Sequence, residues 1–126
     1  MPIEGLVKAG MIHTILSGRV TDADLLSYYK LPMFELPVPP WLEIVDARQI
    51  VDMAVTVNGQ RELALLVLTR VNQLRGGRVA MVAESELTYG MFRMWEVLKP
   101  DIDYEVRVFR KFLPARDWVI SKLEDL

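Results

Sequence analysis

His13 is the one histidine of the sequence, so a histidine-centred triad or a two-histidine metal site cannot be assembled within a single copy of the chain. On an alternating stretch it is expected to be a packed or edge residue. Asp101, Asp103 and Glu105 imitate the opening of a calcium loop, but the sixth position would be Val106 instead of glycine and the twelfth is Phe112 instead of glutamate. They read as solvated loop acids. Gly76-Gly77 invites a phosphate cradle, yet the pair precedes a strand signal and no Gly-Lys-Ser/Thr follows, so a helix C-cap is the better account. Glu84 and Glu86 flank Ser85 and offer an acid/base pair, but acids in a first helical turn are more simply partners of the helix dipole. No nucleophile–base pair, metal cluster or phosphate loop emerges, and the expectation is a chain that is not an enzyme, with no catalytic residue, metal or cofactor.

Composition sets the outer bounds. The 126 residues, 52% hydrophobic and 25% charged, suit one domain over 1–126 that is long enough to bury a core. Fifteen Lys plus Arg against seventeen Asp plus Glu leave a net charge of −2 with both signs interspersed, which argues against a general grip on nucleic acid or anionic lipid. Lack of cysteine excludes disulfide frameworks, zinc ribbons, thiol catalysis and iron–sulfur clusters. The longest apolar run, Leu63 to Leu68, is far short of a membrane span, and Met1-Pro2-Ile3-Glu4 does not read as a signal peptide, so a cytoplasmic location is expected.

The elements that must position any site follow from periodicity. Residues 5–9 and 11–17 read as a hairpin about Gly10, ended by Gly18. Thr21 is placed to cap a helix reaching about Lys30, where Pro32 bars continuation. Leu31 to Trp41 carries four prolines and reads as an extended, stiff loop. A short strand over 42–45 ends at Asp46; a helical or turn piece is expected around Ala47–Met53, then a long helix from about Gly59 to Leu74 that stops at Arg75-Gly76-Gly77. Residues 78–83 form the clearest strand. Ser85 caps a helix with the apolar stripe Leu87, Met91, Met94, Trp95 and Leu98, residues 104–109 alternate as a strand, and Pro114 opens a last helix with Ala115, Trp118, Val119 and Leu123 on one face. Strand and helix in alternation imply a mainly parallel sheet. Glu43, Glu105 and Arg107 interrupt two strands, so one face is expected to be less covered, with most helices on the other.

Candidate contact residues are the large side chains that such elements leave over. Met33, Phe34, Leu36, Val38 and Trp41 are apolar in a stretch that cannot be regular, either a cover over the sheet or a pocket or partner surface. Within it Trp41 is expected to be a buried anchor, and Met33 and Phe34 to be partly exposed. Tyr89 and Phe92 lie off the helical stripe, and with Met33, Phe34, Trp41 and Ser85 they make up the expected ligand or partner surface.

Four segments resemble the SpoIIAA-like, or STAS, fold: Ser17 to Asp24 closing the hairpin, Leu42–Asp46, Arg78–Ala83, and Val106-Arg107-Val108-Phe109 with Ala115 and Trp118. The resemblance implies one α/β domain with a mostly parallel sheet of about five strands in a strand-helix superhelix, opened by an N-terminal hairpin. It also implies a homodimer and no known catalysis in the simplest members. The signalling branch has a phosphorylatable serine after an aspartate at the start of the helix following the central strand; Arg48 to Met53 looks equivalent, and Met53 after Asp52 has no hydroxyl. The chain is therefore more similar to the stand-alone STAS/CRAL-TRIO-like branch. Two functions are expected as alternatives, a non-catalytic interaction or regulatory module acting on a protein partner, or a binder or carrier of an apolar or lipid-like small molecule.

Overall fold

The chain opens with a hairpin whose turn is two residues long. Strands β1 (Ile3–Lys8) and β2 (Met11–Thr21) pair antiparallel, and Ala9 and Gly10 both take positive φ, 54° and 78°, as a tight hairpin of this twist demands. The computed structural model describes residues 2–34 and 40–124. Gly18 does not end β2: it adopts φ 62° inside the strand where the pairing register shifts, and the bent strand runs on to Thr21. Thr21 then closes a capping box with Asp24 and starts helix α1 (Asp22–Tyr29), as its sequence demands.

Strand β3 (Leu42–Ala54) corrects a second boundary. No helix or turn forms at Ala47–Met53, because the extended end of β2 supplies partners from Ser17↔Gln49 to Thr21↔Ala54, and pairing overrides the weak local signal. The long helix expected over 59–74 is two, α2 (Val57–Leu68) and α3 (Val71–Leu74). The break has a cause: the Thr69 hydroxyl donates to the Leu66 carbonyl at 2.6 Å, while Arg70 leaves helical backbone and its Nη1 donates to the Phe34 carbonyl at 2.8 Å. Gly76 has φ 70°, the left-handed conformation of the expected stop. Gly77 has another role, since a Cβ there would collide with the Trp41 carbonyl oxygen.

Strand β4 (Gly77–Val82), helix α4 (Glu86–Leu98), strand β5 (Tyr104–Phe109) and helix α5 (Phe112–Glu124) complete the order. Pro114 is the third residue of α5, not the first; the first turn tolerates its missing N–H either way. The sheet order is β1-β2-β3-β4-β5, and β2 to β5 are parallel. As this order never reverses, right-handed crossovers place α1, α2 and α4 on one face, and no switch-point crevice opens at the strand ends. Among the described residues helix α5 alone covers the opposite face, burying Ala115 and Val119 against Met11, Leu42, Ile44, Ala80 and Val82. Asp46, gripped by Arg48 at 2.8 and 2.9 Å, holds that guanidinium over the Phe112 ring and ties β3 to the start of α5. The uneven cover agrees with the exposed Glu105 and Arg107, but Glu43 lies on the crowded face at 2% exposure.

Candidate functional site

Glu43 is the second residue of β3 and points with Val45 and Ala47 into the layer between sheet and helices. Alternation puts Trp41 on the same side, where its Nε1 donates to Glu43 Oε1 at 3.0 Å. On neighbouring β2, Thr14 donates to Oε2 at 2.6 Å, and the last turn of α1 delivers the Tyr29 hydroxyl to the same oxygen at 2.8 Å. With its proton committed to Glu43, Thr14 accepts from the Tyr28 hydroxyl at 2.7 Å. Phe34 locks the donors from outside: its ring lies 4.9 Å from Tyr28, 5.0 Å from Tyr29 and 5.3 Å, stacked, from Trp41.

Burial dominates the electrostatics. Loss of water raises the Glu43 carboxyl above its ordinary value, against the hydrogen bonds from Thr14, Trp41 and Tyr29 that favour the anion. The same burial, with the Glu43 charge second, raises the phenols of Tyr28, Tyr29 and Tyr104, so all three keep their protons. His13, on the other side of β2, is lowered by burial and then by Lys8. It is half-buried, the packed or edge residue expected of it.

Two apolar cavities adjoin this network beneath α2. One, of about 60 Å³, is lined by residues that include Trp41, Glu43, Leu63, Arg70, Trp95 and Tyr104. The other, of about 50 Å³, lies among Leu25, Val55, Gln60, Met81, Met91 and Phe92. One water occupies roughly 10–15 Å³ on such a scale, so each has room for several atoms. Two buried side-chain atoms of the lining residues have no hydrogen-bond partner, Tyr104 Oη and Gln60 Oε1. Among the described residues no three His, Asp or Glu side chains are grouped to hold a metal.

The residues singled out from the sequence divide between several places. Trp41 is a buried anchor, as expected, and lines the first cavity. Phe34 is not partly exposed: at 0% exposure it is the centre of the aromatic cluster, because the turn at Pro32–Phe34 folds back onto α1. Met33 is half-buried against the same core, and Leu36 and Val38 lie outside the described residues. Phe92 is core and lines the second cavity; α4 is rolled so that Thr88, Phe92 and Trp95 face inward, leaving Leu87 and Met94 of the expected stripe exposed. Tyr89 lies under the Arg110 guanidinium, 4.0 Å from its ring centre, and Ser85 caps α4 by accepting from Thr88 N. Met53 is the last residue but one of β3 and is core; the helix after β3 is capped instead by Thr56, whose hydroxyl accepts from Gly59 N and donates to Asp22. Glu43, Thr14, Tyr28, Tyr29, Tyr104 and Gln60 were not legible as a group. The one available signal was an acid two residues after a tryptophan inside an apolar strand.

No protein-family model matches the chain, and no curated protein does. Among solved structures it is similar to an uncharacterized protein of the DUF3478 family from Shewanella loihica PV-4, with a TM-score of 0.61 over 93% of this chain and 91% of that one, at 18% identity. That protein is described as having a SpoIIAA-like fold. With its hairpin-opened, otherwise parallel five-stranded sheet and one-sided crossover helices, this chain has a SpoIIAA-like fold.

Proposed function

We propose that the chain is a non-catalytic binding module whose ligand is a small, largely apolar molecule held between the sheet and α2. The observation that supports this is the first cavity, where Leu63, Val67 and Trp95 surround the polar side chains of Glu43 and Tyr104. A mostly apolar wall with a few orienting polar groups is the composition of small-molecule sites. The partnerless Tyr104 hydroxyl costs about 1–3 kcal/mol, which a ligand oxygen or nitrogen beside it recovers. Native mass spectrometry of the protein purified from its own cells, with n-hexanol titrated against Trp41 and Trp95 fluorescence, tests the reading. A retained small mass or a saturable emission change is expected, suppressed by the cavity-filling Leu63→Phe; a wild-type chain that shows neither overturns it.

A second reading, an interaction module that pairs with another copy, is favoured by the stripe Leu87, Met94 and Val97 on the outer side of α4, exposed at 64%, 38% and 81%. Light scattering with Val97→Asp checks it: the wild type is expected to be a dimer and the variant a monomer.

A further inference from the structure

We infer that the two cavities form one elongated site for an uncharged aliphatic molecule with a hydrogen-bonding group at each end, a proposal that rests on the binding reading above. The spaces adjoin, since Tyr29, Leu63, Met81 and Trp95 line both. Tyr104, the first residue of β5, lines the first space and not the second; Gln60, in the first turn of α2, lines the second and not the first. Both side chains are more than nine-tenths buried, and each keeps one polar atom without a partner. Gln60 Nε2 donates to the Met91 carbonyl at 3.0 Å, which fixes the amide and leaves Oε1 as the unmet acceptor. That end therefore requires a ligand donor, a hydroxyl or an N–H. The Tyr104 hydroxyl can donate or accept, and Glu43 beside it is already met by three donors. A plain hydrocarbon leaves both ends unmet and a chain with one head group leaves one. An ionised group at the Gln60 end would lose its hydration among apolar walls, which selects the uncharged form there. Met81 and Met91, unbranched and flexible, let the walls adjust to chain width.

The test compares hexanediol bearing terminal hydroxyls with n-hexanol, each titrated against the methionine methyl NMR signals of the full chain, where Met81 borders both spaces and Met91 the second. Both compounds are expected to shift Met81, and the diol is expected to bind at least as tightly although its second hydroxyl must be dehydrated. Gln60→Leu should weaken the diol by about tenfold or more while leaving n-hexanol within about twofold. Gln60→Met, which keeps the side-chain length, repeats the comparison should the leucine variant fail to fold. If the diol binds more weakly than n-hexanol to the wild type, or if the substitution weakens both equally, the two-ended site is wrong and simple apolar binding stands. If neither compound moves Met81, the binding reading falls with it.

Discussion

Glu43 is an acid that the fold surrounds with donors and keeps from water, and its titration is the most informative single measurement on this protein. Its folded-state value is raised, chiefly by burial, so the folded chain binds that proton more tightly than the unfolded chain does. The stabilisation from this group is fully present below about pH 4.5 and is lost as pH rises through the raised folded value. Glu43→Gln should abolish that slope, seen as the difference between wild-type and variant urea-unfolding free energies across pH. It should also cost about 1–3 kcal/mol near neutrality, because the amide NH2 meets at least one of the donors now aimed at the carboxylate. A difference that does not change with pH would show that Glu43 titrates as an ordinary carboxyl. Phe34→Asp belongs to the same scale. Removing a fully buried ring costs about 3–5 kcal/mol, and a carboxylate left among Tyr28, Tyr29 and Trp41 adds to that. The variant is expected to be unfolded by circular dichroism; a folded variant with altered self-association would restore Phe34 to a surface role.

At the scale of elements, the site depends on how closely β3 and the start of β4 approach. Gly77 admits the Trp41 carbonyl oxygen where any side chain would collide, and Arg78 N donates to that same oxygen at 2.9 Å. Because the obstacle is backbone, Gly77→Ala cannot be absorbed by a rotamer change and must move Trp41, and with it the Nε1 donor to Glu43. Gly77→Ala should lower the melting temperature and shift the Trp41 emission; an unchanged melting temperature together with unchanged emission would mean that the strands separate without cost. The capping box at Thr21, the caps at Thr56 and Ser85 and the left-handed Gly76 were all set by local chemistry. Thr21, Ser85 and Gly76 were readable as such. The length of β3 and the break at Thr69-Arg70 were not, since one needs the extended end of β2 and the other needs the Phe34 carbonyl, 36 positions away in sequence.

Across the whole molecule, cover is uneven. The central strands β3 and β4 are buried over most of their length, whereas β1 has one buried residue, Ile3, and pairs on one side only. Stability should be distributed accordingly, with local opening cheapest where few apolar contacts resist it. Hydrogen exchange followed by mass spectrometry is expected to show β1 amides exchanging well before those of β4 and of the Leu42–Ala47 half of β3. Equal protection of β1 and β4 would mean that the hairpin unfolds only with the rest of the sheet.

The sequence by itself determined the alternation of strands and helices, the opening hairpin, the helix caps at Thr21 and Ser85 and the one-sided placement of most helices, because those depend on residues close in sequence and on the handedness of crossovers. It also marked Trp41 as an anchor from the cost of leaving its ring in water. Only the tertiary structure decided what Glu43 does. In the strand Leu-Glu-Ile-Val a single acid is equally consistent with an open face and with a buried network, and the choice lies with Thr14, Tyr29 and Trp41, which come from different elements. The inward roll of Phe92, the burial of Phe34 and the placing of Tyr104 and Gln60 on two adjoining cavities have the same origin. Each is settled by which neighbours reach the space first, a long-range packing outcome that no local periodicity encodes.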